Sequence, residues 1–131
     1  GKPSGYYTTA ESIVEKMKQG YKVIDYYAEP IMHELLSEKD FGKYQDKETG
    51  KMQLCFLTNN DITGGNSGSP MFNGKGELIG LAFDGNWDSL SSDINFDKRL
   101  ARCIGVDIRY VLYLMDKWGH ADRLLKKINA K

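Results

Sequence analysis

The stretch that most constrains the fold of this chain is Asn73-Gly74-Lys75-Gly76, flanked by Pro70-Met71-Phe72 and by Glu77-Leu78-Ile79-Gly80-Leu81-Ala82-Phe83. An Asn-Gly pair supplies the backbone conformations of a tight reversal, and between two apolar runs it signals antiparallel strands joined by a short turn. A β-hairpin is therefore predicted here. Further strands are expected nearby. Met52-Gln53-Leu54-Cys55-Phe56-Leu57-Thr58 has the length and side-chain types of a mostly buried strand, and Cys103-Ile104-Gly105-Val106 reads as a last short one. The polar stretch between, with Gly85, Asn86, Asp88 and Ser89 to Asp93, reads as a loop.

Helical signals bracket this β region. Thr8-Thr9-Ala10-Glu11 before Ser12–Lys18 predicts a short helix with a threonine cap and Gly20 as its stop. A second helix is expected from about Ala28, with Pro30 in its first turn, an apolar stripe of Ile31, Met32, Leu35 and Leu36, and a stop near Gly42. At the other end Asp107 is read as a cap, Ile108, Val111, Leu112, Met115 and Trp118 recur at helical spacing, and Gly119 stands where a left-handed terminator belongs. The expected organisation is one domain over residues 1–131, with residues 1–45 a largely helical lead-in; 131 residues suit one core.

Charge narrows the class of partner. Lysine plus arginine and aspartate plus glutamate both number 18, so the net charge is zero and gives no pull toward nucleic acid or an anionic membrane. No apolar run approaches the roughly 20 residues of a membrane-spanning helix, and the first residues have no signal-peptide core. Cys55 and Cys103 are too few for a disulfide scaffold and lack the spacing of a zinc site. A single bridge between them and two buried thiols are both open; no metal and no cofactor are expected.

The segment with chemical content is Asp61-Ile62-Thr63-Gly64-Gly65-Asn66-Ser67-Gly68-Ser69-Pro70, between two predicted strands. A serine nucleophile needs a tight turn whose backbone N–H groups converge on a developing oxyanion, and glycines permit such a turn. Ser67 would attack, and the N–H groups of Gly65 and Ser67 would hold the oxyanion. By composition alone the same segment is an ordinary glycine- and serine-rich turn.

Gly65-Asn66-Ser67-Gly68-Ser69-Pro70, followed by the hairpin and Gly80-Leu81-Ala82-Phe83-Asp84-Gly85, resembles the second barrel of chymotrypsin-like proteases. Adding Phe83-Asp84-Gly85-Asn86-Trp87 and Val106-Asp107-Ile108-Arg109-Tyr110-Val111-Leu112, the chain from about Tyr6 to Leu125 is similar to the C-terminal part of the bacterial dipeptidyl-peptidase 7 and 11 family. The resemblance implies a mainly β fold with flanking helices: the second β-barrel half of a chymotrypsin-like serine protease, ending in a C-terminal helix. It implies a serine exopeptidase that releases N-terminal dipeptides, with Ser67 as nucleophile and Phe83, Asp84 and Gly85 along the substrate pocket. One pocket position separates the subtypes, arginine favouring acidic and glycine apolar residues before the cleaved bond. Gly85 corresponds to it and points to the dipeptidyl-peptidase 7 branch. An arginine there would offer a bidentate fork to a carboxylate, whereas glycine leaves open, uncharged space. Asn66 stands where the pancreatic enzymes carry an aspartate that pairs with a freed N-terminus, so that style of activation is not expected.

An activated serine also needs a base and an orienting acid. His33 and His120 are the chain's histidines; both read as solvated surface positions, and the resemblance puts the triad's histidine and aspartate before Gly1. This chain is thus expected to be a nearly inert piece. Its partners would be a peptide substrate and the N-terminal barrel and helical domain of the same parent chain, and its exposed barrel face would favour dimers. A periplasmic or cell-surface location is implied by the resemblance. Asp84, Asn86 and Trp87 beside the pocket wall either touch substrate or satisfy a turn. The competing reading is a non-catalytic protein-binding module on a protease-like barrel; a complete endopeptidase would require His33 or His120 as base.

Overall fold

The computed structural model describes residues 3–19, 27–91, 97 and 99–128. In chain order these form β1 (Pro3–Thr9), α1 (Ala10–Met17), α2 (Pro30–Ser37), β2 (Gln53–Thr58), β3 (Pro70–Phe72), β4 (Leu78–Gly85), β5 (Cys103–Asp107), α3 (Ile108–Tyr113) and α4 (Asp122–Lys127). The chain divides into two compact units. One comprises residues 1–8 and 54–108 and holds the sheet; the other comprises residues 9–53 and 109–131 and holds the helices.

The sheet has five strands in the order β1-β2-β5-β4-β3. β2 with β5, β5 with β4 and β4 with β3 pair antiparallel. The expected hairpin is β3–β4. Its turn closes with Asn73, whose side-chain oxygen accepts from the N–H groups of Lys75 and Glu77 at 2.9 and 3.0 Å, while Gly76 takes φ +79°. Register explains the core. Phe56 stands opposite Gly105, which in turn stands opposite Ala82, and Met71 stands opposite Gly80. These positions share one face of the pleat, where Met71, Ala82 and Cys103 are buried with Phe56, Ile62 and Ile79 packed against them. The two glycines leave room for an aromatic ring: a Cβ added at Gly80 or Gly105 would lie 2.8 Å from atoms of the Phe56 ring.

The same register decides the cysteines. Cys55 pairs with Val106 and Cys103 with Thr58. Three residues of offset place the two thiols on opposite faces of the sheet, where no bridge can form. Both are free.

In the helical unit Tyr113 is the organising side chain. It is buried, its hydroxyl donates to the carbonyl of Leu35 at 3.1 Å, and Phe41 and Tyr44 meet it edge-on with centroids 5.7 and 6.0 Å away. Arg109 donates to Asp46 and Gln53, both at 3.0 Å. Asp46 also accepts from the Glu48 and Thr49 N–H groups at 3.1 and 2.9 Å, so the turn after Gln45 is pinned from two sides.

Several expectations are corrected here. A strand, β1, precedes the first helix, where a helical lead-in is expected; Tyr6-Tyr7-Thr8-Thr9 is a run of strand formers. Thr9 occupies the cap position of α1 without a side-chain capping bond; its hydroxyl instead helps hold the Glu11 carboxyl below its usual range. The expected stop at Gly20 lies outside the described residues. α2 ends at Ser37, five residues before Gly42, because Lys39 already turns left-handed at φ +55°. Asp107 is the last residue of β5 rather than a cap. Gly119 is right-handed, and the left-handed residue is His120 at φ +45°. The helix widens over Leu114–Trp118 into a π turn, in which the Gly119 N–H reaches the Leu114 carbonyl at 2.8 Å, and the extra residue shifts the terminator by one. The polar loop contains a 3₁₀ turn, Trp87–Ser91.

Candidate active site

The segment from Ile62 to Pro70 is a double turn. Gly65 and Gly68 take φ +92° and +84°, a region in which a Cβ would be strained. Asn66 stitches the first turn. Its side-chain oxygen accepts from the Thr63 N–H at 2.8 Å and its own N–H donates to the Thr63 carbonyl at 3.2 Å. The second turn is welded to β4, with the Gly68 N–H donating to the Ala82 carbonyl at 2.7 Å and the Ala82 N–H to the Ser69 carbonyl at 2.8 Å. Ser67 is thereby held at the crest of a loop fixed on both sides.

The Ser67 side chain is exposed, and its hydroxyl donates to the carbonyl of Phe83 at 3.3 Å. Among the described residues no group accepts from the backbone N–H of Gly65 or of Ser67. The N–H groups of Gly65 and Ser67, two residues apart on this turn, are thus both left without an acceptor there.

Beside the serine opens a cleft of about 240 Å³, lined among others by Thr63, Ser67, Phe83, Asp84, Gly85 and Ser89. The expected site residues Ser67, Phe83, Asp84 and Gly85 are thus brought together, with Gly65 in the adjoining turn. Phe83 is exposed. The Asp84 carboxylate accepts from the Gly85 N–H at 2.8 Å. Gly85 ends β4 opposite Cys103 without a positive φ, so no left-handed backbone calls for a glycine there. Its reason is space: an added Cβ would collide with the Ser89 hydroxyl and lie 3.1 Å from the Ser89 Cβ.

Asn86 satisfies a turn. Its side-chain oxygen accepts from the Arg102 N–H at 2.8 Å, its amide donates to the Leu100 carbonyl at 2.9 Å and to Asp88 at 3.2 Å, and its own N–H donates to the Arg102 carbonyl at 3.0 Å. The Ser89 N–H and hydroxyl both return to the Asn86 carbonyl, at 2.9 and 2.6 Å. Trp87 is 85% exposed and does not line the cleft. Ser89, which does, reads in the sequence only as part of a polar loop, and no residue pattern there marks it out.

Neither histidine belongs to the unit that carries Ser67. His33 is half-buried on α2, against the solvated position expected, and His120 is exposed. Among the described residues no three His, Cys, Asp or Glu side chains converge as metal ligands would.

Comparison with known proteins agrees with the resemblance drawn from the serine loop. The chain is 52% identical over 124 residues to a protein named dipeptidyl-peptidase 7 from Porphyromonas endodontalis, covering 95% of this chain and 15% of that protein. A protein of the same name from Phocaeicola vulgatus is 54% identical over 123 residues, covering 94% and 17%. An Asp/Glu-specific dipeptidyl-peptidase from Capnocytophaga gingivalis is 46% identical over 124 residues, covering 93% and 17%. Among solved structures, DPP11 of Porphyromonas endodontalis in complex with substrate superposes with a TM-score of 0.88 at 36% identity, covering 96% of this chain and 18% of that one. The chain therefore spans less than a fifth of the length of these relatives. The family described as Peptidase S46 matches residues 1–130, and this chain belongs to it.

Proposed function

We propose that this chain is the serine-bearing part of a serine dipeptidyl peptidase, built as the second half of a chymotrypsin-like enzyme, with Ser67 as nucleophile. The observation that carries the reading is the exposed Ser67 hydroxyl beside two unengaged N–H donors at the head of a cleft. In the reaction the Ser67 oxygen bonds to the carbonyl carbon of the scissile peptide, and the carbonyl electrons move onto an oxyanion held by the N–H groups of Gly65 and Ser67. Collapse expels the amine, which takes the serine's proton by way of a base. Water then hydrolyses the acyl-enzyme and frees the dipeptide. The base and its orienting acid are assigned to the remainder of a longer parent, consistent with the small share of each relative that this chain covers.

β4 supplies the seat for substrate. β3 pairs with it only as far as Leu81, so Phe83–Gly85 offer an outer edge along which an extended peptide can add as a strand. The cleft is smaller than the roughly 300–1,000 Å³ of small-ligand pockets, a size suited to one side chain. Gly85 adds no cation to it and the Asp84 carboxylate lines it, which disfavours an acidic residue and favours an apolar one before the scissile bond. The exposed Phe72, Phe83 and Leu100 are surfaces for the parent's other domains, and in the isolated chain they favour self-association. The resemblance supports a periplasmic or cell-surface parent.

The test is dipeptide release by the full-length parent from peptides with free or blocked N-termini, with apolar or acidic second residues. Release that needs a free N-terminus, follows apolar residues and disappears in Ser67→Ala is expected. Preference for acidic residues would remove the subtype assignment. Absence of serine-dependent release would favour a protein-binding module.

A further inference from the structure

Gly85 does not act alone. We infer that Ser89 is a second determinant of which side chain the cleft accepts, paired sterically with Gly85, an inference that rests on the reading of this cleft as the subsite for the residue before the scissile bond.

The space into which a side chain at position 85 would project is filled by Ser89. An added Cβ overlaps the Ser89 hydroxyl, and rotating that hydroxyl away is insufficient because the Ser89 Cβ would still stand only 3.1 Å away. Nor can the backbone of Ser89 retreat cheaply. Its N–H is bonded to the Asn86 carbonyl at 2.9 Å, and Asn86 is anchored to Leu100 and Arg102 through both its side chain and its backbone. The wall of the cleft is therefore a braced pair: a glycine that leaves room and a serine that uses it. The Arg102 carbonyl, 3.7 Å from the added Cβ, lies at ordinary contact distance and does not obstruct. Any residue larger than glycine at position 85 demands a smaller residue at position 89. A single substitution at Gly85 should then fail to install acidic preference, because the guanidinium of an arginine at position 85 cannot be seated until Ser89 is cut back.

The experiment uses the full-length parent with Gly85→Arg, Ser89→Gly and the double variant, and reads kcat/KM on free-N-terminal dipeptidyl substrates with leucine or glutamate in the second position. Expected is a loss of about tenfold or more on leucine for Gly85→Arg with no gain on glutamate, and a gain on glutamate of at least about tenfold in the double variant over Gly85→Arg. Equal glutamate cleavage by Gly85→Arg and the double variant would overturn the pairing. The steric claim has its own readout, independent of activity: melting temperatures of Gly85→Ala, Ser89→Gly and their combination. Ser89→Gly should recover most of the loss caused by Gly85→Ala, and strictly additive shifts would overturn the inference. If the unmodified parent shows no Ser67-dependent release, the functional reading falls, and the melting cycle still decides whether the two positions are coupled.

Discussion

Gly105→Ala tests the packing that sets the sheet beneath the serine loop. The new methyl would lie 2.7 Å from the Met71 sulfur and 2.8 Å from the Phe56 ring, both inside van der Waals contact. Gly105 is buried and has no positive φ, so no backbone strain enters. Forcing a methyl into a filled core costs about 1–3 kcal/mol, while replacing a strand glycine returns about 0.5–1 kcal/mol of backbone entropy. The net runs from about zero to a destabilisation of about 2.5 kcal/mol, read as a lower urea midpoint with an unchanged slope. Combining it with Phe56→Leu should recover part of the loss, because the smaller side chain vacates the space the methyl needs. A Gly105→Ala protein more stable than the parent sequence, or strictly additive losses in the double variant, would show that the Phe56 ring does not lie across β5 as described.

Acid should loosen the helical unit in a defined window. The Thr49 N–H first, then the Arg109 guanidinium and the Thr49 hydroxyl, hold the Asp46 carboxyl at about 2 against its ordinary 3.8. A carboxylate depressed by folding contributes its stability above its unfolded value and loses it as pH falls through the folded one. Melting temperature should therefore drop between pH 4 and 2, and Asp46→Asn should flatten that slope. Burial raises both the Cys55 and Cys103 thiols, so alkylation of the native chain at neutral pH should be slow, and reduction should leave its mass unchanged; a gain of two hydrogens would contradict the opposite-face placement. The 131-residue chain without the rest of a parent should hydrolyse dipeptidyl substrates about 10⁶-fold more slowly than the full-length protein, the scale of losing a triad base.

What was legible in the sequence follows from which forces are local. The turn residues Asn73 to Gly76 mark a hairpin, although Gly76 rather than Asn73-Gly74 takes the left-handed backbone and Asn73 closes the turn through its side chain; Met52–Thr58 and Cys103–Val106 declare themselves by apolar strand formers and stand as strands within a residue. Helix ends were harder. Gly42 and Gly119 are permitted to terminate helices, but Lys39 and His120 do so, because the ends are set by tertiary packing and by a π turn that no residue pattern announces. β1 was missed since Thr8-Thr9 also reads as a helix start. Ser67 stands out by its glycine-rich turn, whereas Phe83, Asp84 and Gly85, 16 to 18 residues further on, enter only through the family resemblance; the structure lines one cleft with all four. Ser89 was missed, because its importance lies in the direction of a Cβ that Gly85 does not have.

The most direct test of Ser67 as nucleophile is covalent trapping. The full-length parent treated with a fluorophosphonate and digested should yield one modified peptide carrying the phosphonyl group on Ser67, with fluoride lost, and dipeptide release should fall in step with the labelled fraction. Full activity with Ser67 unmodified, or inactivation with the adduct on another residue, would contradict the account.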